Sequence, residues 1–216
     1  MKGILFTPDL IKAIPEGRKT QTRRIMKLNG EVPRIGVDDA TFKRNLEITK
    51  AKPRYQVGET VYIKERALYW DGGAGGCSDV VYQDDSDIPQ LLEDNNLLLI
   101  PRELINISEG QSVVGKWKWR SPRFMPEWAA RYFIKITSAT PQRLQEITEE
   151  DARAEGVEYT DFYPCDSDSY KLAFAYLWDS INKAYPWDSN HWVWRHEFKA
   201  GDAGMSEEYQ ARLKAE

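Results

Sequence analysis

Apolar and polar residues alternate with the two-residue period of a β-strand in several parts of the chain. The alternation is clearest within residues 57–65, 131–140 and 191–198, and the last of these segments is rich in aromatic side chains. Successive side chains of a strand point to opposite faces, so this pattern indicates strands that have one buried face. The sequence therefore predicts three strands in these segments.

Helix signals lie between the predicted strands. A helix beginning at Thr7–Asp9 is indicated by a capping threonine, a proline suited to the first turn and an aspartate favoured by the helix dipole; Gly17 ends it. In residues 148–156, Thr148 and Asp151 form a capping box and the last residue is a glycine. A longer helix is predicted over residues 168–182. The residues expected to face the core in that helix are Leu172, Tyr176 and Leu177.

The order of these elements predicts the fold class. Strands and helices follow one another without a repeating β-α-β pattern or a glycine fingerprint, which favours an α+β protein built around a small β-barrel or curled sheet. Residues 1–200 form the predicted domain, and the polar residues 38–53 are interpreted as a loop within it that can include short elements. A glycine-rich and then acidic segment at about 71–113 is expected to be an insertion, and residues 201–216 an appended C-terminal helix.

Composition excludes several classes of protein. Residues 1–30 lack the long apolar run of a signal peptide, and Leu97–Ile100 is too short to cross a bilayer, so we expect a cytoplasmic protein without membrane contact. Cys77 and Cys165 lie far apart, and the chain has only 2 His. Neither a disulfide framework nor a metal site is therefore expected, and no cofactor is indicated.

Charge is distributed unevenly along a chain whose formal net charge is -4. Residues 1–70 carry 15 cations and 8 anions, and residues 114–135 carry 6 cations and 1 anion, whereas the remaining segments are acidic. If the two basic segments meet in space, they form a positive surface suited to phosphate. The charge pattern thus favours a nucleotide or nucleic acid as the partner.

Five separated pieces of the chain resemble the ASCH domain, a PUA-like β-barrel family linked to RNA. The pieces are EGRKTQTRR, YQVGETVYIKE, MPEWAARYFIKIT, LQEITEEDARAEGV, and LWDSIN together with WVWRHEFK. In order and spacing they are most similar to the longer ASCH proteins of phages and prophages. The resemblance implies a PUA-like β-barrel flanked by short helices, with a cleft edged by those helices as in the PUA domains that bind RNA.

One small bacterial branch of this family is similar to an amidohydrolase that removes the acetyl group from N4-acetylcytidine with a lysine, a threonine and a glutamate. The corresponding positions in this sequence are Lys19, Thr22 and Glu155. A threonine hydroxyl becomes a nucleophile when a base takes its proton, and a lysine can be that base if its pKa falls toward neutrality. Nearby arginines favour that fall, and Glu155 is expected to position the pair or to protonate the departing nitrogen.

The remaining candidate residues are cations and tryptophans. Contacts with substrate or phosphate are expected from Arg18, Arg23, Arg24, Lys116, Lys118 and Arg120, and an aromatic rim from Trp117, Trp119 and Trp128. Simple phosphate binding by the basic run and core packing of the tryptophans are open alternatives. Glu65 is a second carboxylate that could pair with the basic run.

Two other functions also fit the sequence. One is a module that binds RNA or single-stranded nucleic acid without chemistry, and the other, which no motif selects, is a ribonuclease. The catalytic interpretation carries a geometric condition, because Lys19 and Thr22 would point to opposite faces of a regular strand. A shared site therefore requires a turn or bulge between them.

Overall fold

The computed structural model describes residues 1–28, 30–33, 36, 38–71, 80–82, 116–158 and 169–200. Most of the predicted insertion at 71–113 and all of the predicted tail at 201–216 lie outside these residues. Within them the chain has the predicted α+β composition, with eight strands and four α-helices. The strands are β1 Lys2–Leu5, β2 Gln21–Ile25, β3 Thr60–Lys64, β4 Ala67–Asp71, β5 Val80–Tyr82, β6 Lys116–Arg120, β7 Phe133–Arg143 and β8 Trp192–Ala200. The helices are α1 Pro8–Lys12, α2 Asp39–Thr49, α3 Glu149–Ala154 and α4 Tyr170–Ile181.

Five strands form a mixed sheet in the order β1-β3-β7-β8-β2. β1 runs parallel to β3, and the other neighbouring pairs are antiparallel. The strands predicted from alternation, β3, β7 and β8, occupy the middle of this sheet. β1 and β2 are its outer strands among the described residues, so the sheet is open there rather than closed into a barrel.

A second, three-stranded sheet has the order β5-β4-β6. Its strand β5 comes from the segment that the composition indicated to be an insertion. Its strand β6 carries the basic and aromatic residues from Lys116 to Arg120, which pair with β4 from Asp71 to Ala67. The run from Lys116 to Arg120 therefore lies in a different sheet from β2, which carries Arg23 and Arg24.

Apolar side chains cover both faces of the five-stranded sheet. Phe198 of β8 packs on one face in a cluster with residues of α1, β1, β3 and β7. Val193 of the same strand lies in a cluster with residues of α3 and α4. Positions 193 and 198 differ by an odd number, so their side chains point to opposite faces of the strand. The sheet is thus enclosed between α1 on one side and the α3–α4 pair on the other.

Two helix predictions need correction. Residues 38–53, expected to be a loop, contain the eleven-residue helix α2, which Asp38 caps by accepting a hydrogen bond from Thr41 N at 2.9 Å. Phe42 is buried and stacks on Trp192 with ring centroids 3.6 Å apart, and the partly buried Leu46 packs against the same cluster, so two side chains anchor a mostly polar helix. In α4 the fully buried residues are Ala173, Phe174, Ala175 and Trp178. Of the expected set, Leu177 is partly buried and packs against the same cluster, Leu172 is partly buried, and Tyr176 is exposed.

None of the described helices is long and apolar enough to cross a bilayer.

Candidate functional site

The basic run meets the end of α3 at an isolated β-bridge between Lys19 and Glu155. Gly17 turns the chain out of α1 with φ 73°, and Thr20 N then donates to Ala154 O at 2.8 Å. Lys19 therefore lies two residues before β2, which begins at Gln21. The alternation of side chains within a strand, which would place Lys19 and Thr22 on opposite faces, does not apply to Lys19.

Gly156 allows this close approach. It has φ 80°, and a Cβ atom at this position would lie 2.7 Å from Lys19 Cβ and 3.1 Å from Ala13 Cβ. Real Cβ atoms do not come that close, and a side chain also disfavours positive φ. The glycine predicted to end the helix thus also brings Lys19 beside Glu155.

Lys19 is a buried cation with acceptors for all its protons. Its Nζ donates to Gln21 O at 2.8 Å, to Glu155 O at 2.8 Å and to Glu155 Oε2 at 3.1 Å. The residue is 2% exposed and Glu155 is 4% exposed. Burial lowers the pKa of Lys19 below its usual value, an effect that Glu155 opposes and that the nearby Arg24 and Arg23 reinforce.

Arg23 binds the other side of the same carboxylate. Its Nη1 donates to Glu155 Oε1 at 2.9 Å, and its Nη2 donates to Asp151 Oδ2 at 2.7 Å. Arg195 lies 3.5 Å from the same Asp151 oxygen, and Gln21 donates to the other oxygen at 3.1 Å. Both terminal nitrogens of Arg23 thus have carboxylate partners within the protein, and its side chain is fully buried.

Asp151 takes a larger part in the site than the sequence indicated. Thr148 caps α3 as predicted, because its hydroxyl accepts from Asp151 N at 3.1 Å. The Asp151 side chain, expected to complete a capping box, instead joins the contacts of Arg23 and Arg195. The sequence could have indicated this role, because Asp151 lies four residues before Glu155 and residues four apart share a helix face.

The two other arginines of the basic run have different surroundings. Arg24 is half-buried, donates to Leu5 O at 2.6 Å and lies 5.2 Å from the centre of the Phe6 ring. Arg18 is exposed and pairs with Glu16 and, at 3.1 Å, with Glu158. Of Arg18 and Arg24, it is therefore Arg24 that lies near Lys19, because Lys19 Nζ is 5.0 Å from the centre of the same Phe6 ring.

Thr22 is buried within β2 and lies opposite His196 of β8. Among the contacts of the described residues, no hydrogen bond joins its side chain to Lys19 or Glu155. His196, which sequence reasoning did not select, is 1% exposed and neither ring nitrogen has a hydrogen-bond partner there. Burial lowers the pKa of His196, which favours the neutral ring.

The candidates of the second basic segment lie apart from this cluster. Lys116, Trp117, Lys118, Trp119 and Arg120 are all on β6. The Arg66 guanidinium lies 4.7 Å from the centre of the Trp119 ring, and Arg120 lies 5.1 Å from that of Tyr69. Trp128 is 55% exposed and packs edge-on against the Tyr69 ring. The described contacts of Trp119, Arg120 and Trp128 are thus made at the second sheet, and none of them is with Lys19.

Glu65 pairs with Arg131 and not with the basic run. Arg131 Nε donates to both Glu65 oxygens at 3.1 Å, and Arg131 Nη2 donates to Oε2 at 2.6 Å. Both residues are at least 95% buried. The pair is thus a second buried ion pair, separate from that of Lys19.

Two cavities lie beside Phe6 and α3. The smaller, of about 160 Å³, is lined by residues that include Phe6, Lys12, Glu65 and Arg66. The larger, of about 780 Å³, is lined by two arginines and three glutamates among other residues. Within the described part of the chain, no three histidine, cysteine or acidic side chains are grouped so that they could hold a metal ion.

Comparison with known proteins adds little. No protein-family model matches the chain, and no curated protein matches it. Among solved structures, the chain is similar to the crystal structure of protein EF3133 from Enterococcus faecalis V583, described as family-model DUF984. The two are 10% identical, and the match covers 94% of this chain and 71% of that one with a TM-score of 0.40. So weak a likeness carries no argument about function. The function is therefore inferred from the side chains of the chain itself.

Proposed function

We propose that the chain is an ASCH-type amidohydrolase that removes the acyl group from an N4-acylated cytidine, with Lys19, Thr22 and Glu155 as its functional residues. The observation that carries the proposal is the buried contact of 3.1 Å between Lys19 Nζ and Glu155 Oε2. Perturbed ionisable groups in buried clusters mark functional sites more often than chance. The burial that lowers the pKa of Lys19 is what a lysine base needs.

The proposal includes a PUA-like barrel as the framework. The outer strands β1 and β2 are not paired with each other, but Arg24 of β2 donates to Leu5 O of β1 at 2.6 Å. This contact joins the two edges of the five-stranded sheet through a side chain. It supports a curled sheet whose edges approach each other beside Lys19.

The proposed reaction uses Thr22 as the nucleophile. Neutral Lys19 takes the hydroxyl proton while Thr22 Oγ attacks the acyl carbon, and the resulting ammonium returns a proton to the exocyclic nitrogen as the carbon–nitrogen bond breaks. Water then hydrolyses the acyl-threonine to a carboxylic acid and the free hydroxyl. Arg24 lies two residues from Thr22 on the same face of β2, where its charge can stabilise the oxyanion.

The test measures release of cytidine from N4-acetylcytidine by the purified protein. Thr22→Val removes the hydroxyl at nearly constant volume, whereas Thr22→Ser keeps it, so we expect activity to be lost in the first variant and retained in part in the second. Lys19→Met is expected to be inactive, and Lys27→Ala, which changes an exposed cation, serves as the control. Equal activity of Thr22→Val and the parent would exclude the threonine as nucleophile, and an inactive parent would exclude the reaction.

The activity should rise with pH. Only the neutral amine can accept a proton, and burial lowers the pKa of Lys19 from 10.5, so the active form accumulates at lower pH than for a free lysine. A deacylation rate that falls as pH rises toward 10.5 would contradict the role of Lys19 as base.

A nucleic-acid-binding module is the second candidate. It is favoured by the exposed Trp128 and by the stacked pair of Arg66 and Trp119 on the second sheet, since aromatic and cationic side chains together bind single strands. Fluorescence polarisation with a labelled oligonucleotide at two salt concentrations tests it. Affinity that falls steeply with salt supports the module, and affinity lost in Trp128→Ala places the contact on this surface.

A further inference from the structure

The smaller cavity has the size of a single aromatic ring. Its volume is about 160 Å³, and Phe6, Ile11 and two prolines provide its apolar lining. An apolar cavity of about 150 Å³ is known to hold benzene, whereas pockets for drug-sized ligands start at about 300 Å³. One six-membered ring therefore fits within this space, whereas the two fused rings of a purine would extend beyond it.

A fixed hydrogen-bond acceptor lies in the wall of this cavity. Glu65 lines it, and Arg131 holds the Glu65 carboxylate through contacts of 2.6 to 3.1 Å. Because one buried guanidinium donates to both oxygens, the orientation of the carboxylate is fixed. A pyrimidine base with an exocyclic amino or amide N–H can donate to an oxygen held in this way.

Two cationic side chains also line the cavity. Lys12 and Arg66 both line it and both are exposed. Neither forms an ion pair with any residue in the described ranges. The larger cavity differs, because its three glutamates outnumber its two arginines, Arg18 and Arg153. The smaller cavity is therefore the better suited of the two to a ligand with a negative group outside its ring.

We propose that the smaller cavity binds the pyrimidine ring of a nucleoside monophosphate, with the exocyclic N–H of the base directed to Glu65 and the phosphate to Lys12 and Arg66. Phe6 connects this site with the proposed reacting groups, because its ring lines the cavity and its centre is 5.0 Å from Lys19 Nζ. The inference rests on the proposed function for the identity of the ring. It adds that the substrate is a phosphorylated pyrimidine nucleotide, and not a free nucleoside or a purine.

Isothermal titration calorimetry with cytidine monophosphate, cytidine and adenosine monophosphate tests the inference. Two charged hydrogen bonds to phosphate should make the monophosphate bind about tenfold or more tightly than cytidine, and the adenine nucleotide should bind more weakly than the cytosine nucleotide. The double variant Lys12→Ala/Arg66→Ala should lose the preference for the monophosphate and keep its affinity for cytidine. Lys27→Ala is the control.

Each outcome bears on one proposal. The inference is overturned if the monophosphate does not bind or binds no more tightly than cytidine, if the two nucleotides bind equally, or if the double variant keeps the preference. Deacylation with the same KM for N4-acetylcytidine and its monophosphate would also overturn it while leaving the proposed function intact. Binding as expected without any deacylation would support the cavity assignment and refute the reaction.

Discussion

Replacing Glu155 with glutamine removes a carboxylate that pairs with two buried cations. Lys19 would keep two backbone acceptors, and Arg23 would keep Asp151, but neither would retain its contact with a charged Glu155. Removing one partner of a buried ion pair costs about 3–5 kcal/mol, because the other charge stays buried without compensation. For a chain of this size each kcal/mol lowers Tm by about 2–4 °C, so we expect a loss of about 6–20 °C.

A double-mutant cycle measured by urea unfolding separates this effect from simple loss of packing. Lys19→Met in the Glu155→Gln background removes the unpaired charge, so the double variant should be more stable than the sum of the single effects predicts, by about 0.5–3 kcal/mol. Glu150→Gln changes an exposed carboxylate on the same helix and should stay within about 0.5 kcal/mol of the parent. Single effects that add without coupling would refute the argument that Glu155 holds Lys19 electrostatically.

Three further predictions concern stability. Gly156→Ala should lower the free energy of unfolding by about 2–5 kcal/mol in chemical unfolding, because it adds steric overlap to an unfavourable φ. Gly58→Ala is the control, since Gly58 has φ 85° and open space around it, and this change should cost clearly less. Equal costs would contradict the close contact of Gly156 with Lys19. Phe42→Ala should lower the free energy of unfolding by about 3–5 kcal/mol. Ile48→Ala changes an exposed residue of the same helix and should have little effect. Similar losses in the two variants would show that the stack on Trp192 does not anchor α2. The lowered pKa of His196 means that the unfolded chain binds a proton more readily, so stability should fall as pH drops below 6.5. His196→Leu should flatten that slope in Tm measurements, and an unchanged slope would exclude His196 as its source.

The parts of the fold that alternation predicted are those in which local pattern and burial agree. β3, β7 and β8 have one or both faces in the core, so their apolar residues recur at strand spacing. Helix α2 was not recognised because only Phe42 and the partly buried Leu46 of its eleven residues pack on the core, which is too short an apolar face to distinguish from a loop with short elements. Its C-cap is Lys50 in a left-handed conformation, where sequence rules expect glycine.

The site was predicted in part. Lys19 and Glu155 were singled out by a resemblance, and the structure brings their side chains together although 136 positions separate them. The role of Arg23 was not apparent, because charged residues in a strand look exposed until their partners are known. Its partners Asp151 and Glu155 come from α3, and only tertiary structure places that helix beside β2.

The contacts that stabilise this cluster and the proposed chemistry require different states of Lys19. Three acceptors and the Glu155 charge favour the ammonium form, whereas a base must be neutral. Burial is the effect that opposes the charge, and it strengthens when water is excluded. A ring bound against Phe6 would remove water from the side of Lys19 that faces that ring. Substrate binding would therefore lower the pKa of Lys19 further, so that the base forms only when the acylated nucleotide is in place.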